Sequence, residues 1–174
     1  MSQTKPQFTF PRGGVHPEES KARTRGMALQ ESEPGQTLTV LMAQHIGAPA
    51  RAVVKRKEAV LKGQLIGEAQ GFISANVHSP VSGTVKSVGT AIFPVTGASV
   101  QAVVIENDGE ENWAEGCNER QDVEAMEPHR MVELVQQCGI VGMGGATFPT
   151  HVKLSPPDNM PITDVIINGA ECEP

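Results

Sequence analysis

Four glycines fall within seven residues near the C-terminal end of the chain, at positions 139, 142, 144 and 145, and Lys153 follows shortly after them. Glycine has no Cβ and tolerates positive φ, so such a run lets main-chain N–H groups converge on a ligand, most often a phosphate. A nearby lysine adds a cation for the same phosphate. Neither the GxxxxGK[ST] nor the GxGxxG spacing is satisfied. Residues 139–150, the glycine-rich loop, are therefore predicted to be either a cofactor loop or a crowded turn.

Helices are expected on both sides of this loop. Pro128 suits a first helical position, and apolar residues recur at i, i+3, i+4 and i+7 from Met131, which predicts a helix that ends with Gly139 as its cap. Residues 147–154 could begin a second helix, which the prolines at 156–157 must break.

Residues 164–169 contain a continuous apolar run that predicts a buried parallel strand of an α/β sheet. Ligands bind outside the carboxyl ends of such strands, where Asn168, Glu171 and Glu173 are located. One strand and two helices cannot complete a doubly wound sheet, so the natural protein is expected to continue past Pro174.

Residues 37–108 consist of short β-like runs separated by glycine and proline turns, which predicts a small all-β sandwich or barrel. The pairing of residues 60–66 with residues 77–85 resembles the barrel-sandwich hybrid of biotinyl and lipoyl carrier domains. Carriers attach their cofactor to a lysine at a hairpin tip. The corresponding stretch here, residues 71–76, has no lysine, so carrier function is not expected. The sequence instead predicts a β module that holds neighbouring segments in place.

The remaining segments are an extended basic arm at residues 1–36 and an acidic linker at 109–126, which precedes an α/β part at 127–174. A net charge of −6 argues against general nucleic-acid binding. The sequence has no apolar run of the roughly 18 residues that span a bilayer and no hydrophobic signal core, which predicts a cytosolic chain. Three dispersed cysteines predict reduced thiols, and the isolated histidines are expected to be surface or hydrogen-bonded residues.

Four stretches together resemble the N-terminal part of the C subunit of the Rnf (Rsx) electron transport complex. They are FPRGGVHP at residues 10–17, the β module, GIVGMGGATFPTHVKL at residues 139–154, and INGAECEP at residues 167–174. The last two stretches are also similar, more distantly, to the NADH- and FMN-binding flavoprotein subunit of respiratory complex I.

The resemblance implies a mixed α and β fold, in which a barrel-sandwich hybrid is followed by the beginning of a Rossmann-like NADH/FMN-binding domain. It implies a peripheral subunit on the cytoplasmic face of the bacterial inner membrane, in contact with the other Rnf subunits. NADH would reduce a noncovalent FMN, and electrons would pass singly to 4Fe-4S clusters expected further along the chain. The complex would link NADH and ferredoxin redox chemistry to ion transport.

The resemblance also assigns cofactor-binding roles to nine residues: Gly142, Gly144, Gly145, Ala146, Phe148, Lys153, Asn168, Glu171 and Glu173. Those of the loop would pack on flavin and nucleotide, Lys153 would meet the FMN phosphate, and Asn168 would meet the phosphate or the ribityl chain. The two glutamates would face the flavin and nicotinamide. Thr147 departs from the complex I pattern, which has glycine there, and Ala170 stands where aspartate is frequent. No catalytic acid, base or metal ligand is expected, because hydride transfer depends on orientation.

Two other hypotheses stay open. The chain could be a non-catalytic scaffold in which the glycine-rich loop is only a turn, and Lys153 could be a solvated lysine on a helix. A biotinyl or lipoyl carrier is disfavoured by the absent tip lysine.

Overall fold

The computed structural model describes residues 18, 20–143, 145–157 and 159–167. The chain divides into a unit of residues 33–163 and a unit that joins residues 1–32 with 164–174. The described part of the second unit contains a single 3-10 turn, Ser20–Arg23. The first unit contains seven strands and two helices among its described residues: β1 Thr37–Leu41, β2 Arg51–Ala52, β3 Ala59–Val60, β4 Leu65–Glu68, β5 Val77–His78, β6 Gly83–Ile92, β7 Ser99–Asn107, α1 Pro128–Gln137 and α2 Thr150–Lys153.

The strands form two antiparallel sheets, ordered β1-β7-β6-β3 and β2-β4-β5. Both sheets contribute to one apolar core, since Ile66 and Val77 of the smaller sheet cluster with Val85, Val103 and Ile105 of the larger one. Short aliphatic side chains fill this core, as the scarcity of aromatic residues requires. The β structure predicted for residues 37–108 is confirmed, although β2 and β5 are only two residues long.

The acidic stretch after β7 lies against the β module, as predicted. Lys62 donates its N–H to the carbonyl of Asn112 at 2.8 Å, and Ala114 donates its N–H to the carbonyl of Lys62 at 2.8 Å. The Lys62 ammonium pairs with Glu111 at 2.7 Å and lies 4.9 Å from the centre of the Trp113 ring. One lysine thus anchors the start of this stretch by main-chain, ionic and cation–π contacts.

Helix α1 begins with Pro128 at its first turn, as predicted. Its cap is Cys138, and Gly139 follows with φ +68°, the left-handed conformation that commonly ends a helix. Helix α2 has only four residues, fewer than the predicted stretch of 147–154. Positive φ at Thr147 and an extended ψ of 125° at Pro149 keep the preceding residues out of the helix.

The strand predicted at residues 164–169 is wrong for its described part. Residues 164–167 form no regular structure, and Val165, Ile166 and Ile167 are 78%, 91% and 84% exposed. A parallel strand forms only where a neighbouring strand accepts its hydrogen bonds, and the described residues of this unit include no strand. The Rossmann-like arrangement therefore stays a prediction.

Candidate functional site

Two main-chain hydrogen bonds close the glycine-rich loop at its base. Thr150 donates its N–H to Ile140 at 3.0 Å, and Gly142 donates its N–H to Phe148 at 2.9 Å. These bonds tie the first turn of α2 to the residues that follow α1. The loop is therefore held at both ends, and residues 143 and 145–147 form the described part of its tip.

The backbone at the tip is open and conformationally constrained. Gly145 has φ +59°, and apart from its chain neighbours no described residue has an atom within 4 Å of the position that a Cβ would occupy there. Thr147 has φ +49°, which costs an L-residue about 1–2 kcal/mol. Its hydroxyl donates to the carbonyl of Ala146 at 2.7 Å. Because a positive φ strains any residue that has a Cβ, this conformation gives a physical reason why the complex I pattern has glycine where this chain has Thr147.

Lys153 lies beside the bare backbone of the loop. Its ammonium is 3.2 Å from the position that a Cβ would take at Gly142, so the absent side chain leaves room for the cation. The structure thus brings Gly142 and Lys153 together, with Gly145 and Ala146 exposed at the tip and Phe148 half-buried below them. Lys153 is exposed, and a cation next to main chain that lacks a Cβ is suited to an anionic group.

The other four predicted site residues, Gly144, Asn168, Glu171 and Glu173, lie outside the described residues. Their roles stay predictions. Among the residues that the structure describes, no group of three or more His, Cys, Asp or Glu side chains is arranged to hold a metal ion.

His151 is the buried anchor of the loop, and sequence reasoning did not predict its burial. The ring is 2% exposed, and its Nε2 is 2.9 Å from the carbonyl oxygen of Phe72. A carbonyl can only accept, so Nε2 carries the hydrogen. The imidazole also meets the Phe72 ring edge to face, with centroids 5.9 Å apart. Its Nδ1 has no hydrogen-bond partner in the described chain.

The stretch that corresponds to the carrier tip, residues 71–76, therefore contacts α1 and the glycine-rich loop, although Gly71, Phe72 and Ile73 stay exposed and only Ser74 and Ala75 are buried. Phe72 contacts His151, and Asn76 donates its side-chain N–H to the carbonyl of Gln137 at 3.2 Å. Gly139 packs against the carbonyl of Asn76, closely enough that a Cβ would lie 2.2 Å from that oxygen. Where a carrier domain exposes a lysine, this chain supports the end of α1 and the glycine-rich loop.

An open cleft of about 910 Å³ adjoins the loop tip. Residues 145–147 form one side of it, and β1, residues 43–46 and the turn after β6 form the rest. His45 is held there with its hydrogen on Nδ1, because Nδ1 lies 3.0 Å from the carbonyl of Ile46 while Nε2 accepts the N–H of Ala75 at 3.1 Å. His78 is half-buried in the same cleft, and desolvation lowers its pKa.

The lowered pKa of His78 predicts a loss of stability in mild acid. The unfolded chain takes up this proton near the ordinary histidine pKa of about 6.5, whereas the folded chain takes it up only at lower pH. Below pH 6.5 the unfolded state then binds more protons, so the free energy of unfolding falls until the pH passes the folded pKa. Urea unfolding at pH 7.5 and pH 5 should show a smaller pH difference for His78→Gln than for wild type. Equal differences would contradict the prediction.

The described residues define a barrel-sandwich hybrid module followed by a helix and a glycine-rich loop. Comparison with known protein families agrees with this organisation. Residues 8–110 match the RnfC barrel sandwich hybrid domain, and residues 135–174 match the Nuo51 FMN-binding domain. The chain belongs to the RnfC family.

Relatives of known name share 40–44% identity with this chain. The C subunit of the proton-translocating ferredoxin:NAD(+) oxidoreductase complex of Clostridium ljungdahlii is 42% identical over 94% of this chain and 35% of its own length. The C subunit of the ion-translocating oxidoreductase complex of Rhodobacter capsulatus is 44% identical over 94% of this chain and 31% of its own length. The C subunit of the Na(+)-translocating ferredoxin:NAD(+) oxidoreductase complex of Acetobacterium woodii is 40% identical over 94% of this chain and 37% of its own length. The chain thus spans about a third of the length of these relatives.

These names agree with the predicted family and with a subunit of an oxidoreductase complex. No helix in the described part of the chain is both long enough and apolar enough to cross a membrane.

Proposed function

We propose that this chain is the N-terminal part of the C subunit of an ion-translocating electron transport complex, and that its glycine-rich loop binds FMN. NADH is the hydride donor, and the electrons leave through iron–sulfur clusters held by a further part of the protein. The match to an FMN-binding domain and the ferredoxin:NAD(+) oxidoreductase names of the relatives support this proposal. As a peripheral subunit, it associates with the other Rnf subunits at the cytoplasmic face of the membrane.

The observation that carries the proposal is the Lys153 ammonium beside the Cβ-free face of Gly142. A phosphate monoester carries up to two negative charges, and it gains charge-assisted hydrogen bonds from a lysine and from nearby main-chain N–H groups. The open backbone at Gly145 leaves space for a flat ring system at the tip. Gly144, Asn168, Glu171 and Glu173, which lie outside the described residues, keep their cofactor-binding roles as part of the proposal.

Bound FMN would supply the capacity to accept a hydride and release electrons one at a time. The chain's own residues would bind and orient it. Lys153 would hold the phosphate end, and the glycine backbone would allow a nicotinamide to approach the flavin without side-chain obstruction. No acid or base of this chain is required for that transfer.

Titration of FMN, followed by quenching of its fluorescence, tests the proposal. We expect weak or no binding to the 174-residue chain and tighter binding to a version extended to the length of its relatives. Lys153→Gln in the extended version should weaken binding by about tenfold, since a hydrogen bond to a charged group contributes about 1.5 kcal/mol. Lys55→Gln, which removes an exposed lysine of the β module, is the matched control and should leave the affinity unchanged.

Unchanged FMN affinity in Lys153→Gln would contradict the proposed phosphate contact. If neither length of chain quenches FMN while both are folded, the glycine-rich loop is a structural turn. The scaffold hypothesis, supported by the packing of residues 71–76 against His151 and Gln137, would then replace the flavin proposal.

A further inference from the structure

A second concave surface of the β module carries a concentration of positive charge. The turn between β2 and β3 contains Lys55, Arg56 and Lys57 in succession, and Lys86 of β6 lies across from it. Main-chain hydrogen bonds hold the turn on β6, because Lys57 donates its N–H to Val85 at 2.7 Å and Val85 donates its N–H back to Glu58 at 2.8 Å. The main chain that carries these cations is therefore held in place by the sheet.

These cations border an open groove of about 780 Å³, which we call the basic groove. Lys55, Arg56 and Lys86 form its charged rim. Val88 and Val104, both half-buried, contribute apolar surface, and Val54, which belongs to the buried core, lies beneath them. The hydroxyl-bearing residues Thr37 and Ser87 complete the lining.

The rim charges are not neutralised within the described chain. No carboxylate belongs to the groove lining, and no ion pair of the described residues includes Lys55, Arg56, Lys57 or Lys86. The nearest acid in sequence, Glu58, is turned back to accept the N–H of Lys55 at 2.8 Å. The chain has a net charge of −6, so this cluster of four cations is a local exception to its overall negative charge.

We infer that the basic groove is a docking site for an extended acidic segment of a partner polypeptide. Such a segment can lay apolar side chains on the valines while the long side chains of Lys55, Arg56 and Lys86 at the rim pair with its carboxylates. A planar anionic membrane fits less well, because the rest of a net negative chain would be repelled by the headgroups. The inference concerns a surface separate from the proposed flavin site.

Fluorescence anisotropy with the 174-residue chain tests this inference. The probe is a fluorescein-labelled peptide of alternating glutamate and valine, and the same peptide with glutamine in place of glutamate is the charge control. The groove variant combines Lys55→Gln, Arg56→Gln and Lys86→Gln. The matched control combines Arg51→Gln, Arg120→Gln and Arg130→Gln, which remove the same charge from exposed positions outside the groove.

We expect the glutamate peptide to bind wild type and to be released by salt, and the glutamine peptide to bind at least about tenfold more weakly. Each exposed ion pair contributes a factor of about two to three, so the groove variant should weaken binding roughly tenfold and the control variant less than about twofold. Thermal unfolding of both variants verifies that they are folded.

Three results would overturn the inference: failure of the glutamate peptide to bind wild type, equal weakening in the two triple variants, or equal binding of both peptides. Sedimentation with vesicles of phosphatidylcholine and phosphatidylserine gives an independent readout. If the groove variant loses vesicle binding while its peptide affinity stays at the wild-type value, the surface recognises lipid and the inference is wrong.

Discussion

Replacement of Gly139 by alanine is expected to lower the free energy of unfolding of this chain by about 3 kcal/mol or more. Two costs add at this position. A residue with a Cβ at φ +68° costs about 1–2 kcal/mol relative to glycine. The new Cβ would also lie 2.2 Å from the carbonyl oxygen of Asn76, a main-chain atom that cannot rotate away.

Gly116→Ala provides the matched control for this prediction. Gly116 has φ +75°, but no atom lies within 4 Å of the position of its Cβ, so only the conformational cost applies. Urea unfolding should place the loss for Gly116→Ala at about 1–2 kcal/mol, clearly below that of Gly139→Ala. If the two losses are equal, the packing of α1 against residues 71–76 does not contribute to stability as the geometry requires.

The result would also bear on the glycine-rich loop. Gly139 ends α1 and begins the loop, and Asn76 holds the last turn of α1 through the carbonyl of Gln137. A residue that forces these two segments apart moves the base of the loop relative to the β module. Reduced FMN affinity in Gly139→Ala at temperatures where it remains folded would follow from the proposed site.

The parts of this fold that sequence reasoning predicted are those with local causes. Alternating apolar residues and glycine or proline turns predicted the strands of residues 37–108. The pairing of β6 with β7 is local in sequence, whereas β1 pairs with β7 through Thr37 and Glu106, which no local pattern specified. Pro128 and Gly139 fixed the ends of α1 through the backbone preferences of single residues. The acidic stretch was expected on the surface, but its anchoring by Lys62 depends on a contact 49 residues apart in sequence.

The predictions that failed concern segments whose structure depends on distant partners or on an unusual backbone conformation. Residues 164–167 have the composition of a buried strand, yet a strand forms only where another strand accepts its hydrogen bonds. The first turn of α2 starts later than predicted because Thr147 adopts positive φ, which no propensity of threonine indicates. The pairing of Lys153 with Gly142 agrees with the predicted proximity of cation and loop, whereas their contact with FMN stays a proposal.

Replacement of His151 is expected to have the second large effect on the free energy of unfolding. Sequence reasoning did not predict the burial of this residue. Its partner, Phe72, is 79 residues away. His151→Ala should destabilise the chain by about 2–4 kcal/mol, because it removes a hydrogen bond, an edge-to-face ring contact and a side chain that is only 2% exposed. Urea unfolding measures the loss, and His129→Ala, at an exposed position of α1, is the control and should change stability by less than about 0.5 kcal/mol.

A double-mutant cycle separates the two contacts of His151. Phe72→Leu removes the aromatic ring but keeps the carbonyl that accepts the Nε2 hydrogen bond, so the coupling between Phe72→Leu and His151→Ala reports the ring contact alone. We expect a coupling of about 0.5–1.5 kcal/mol. The rest of the His151→Ala loss then belongs to the hydrogen bond and to burial. A coupling near zero would mean that the ring contact contributes nothing to stability. A His151→Ala loss no larger than that of His129→Ala would mean that this histidine does not fix the glycine-rich loop to residues 71–76.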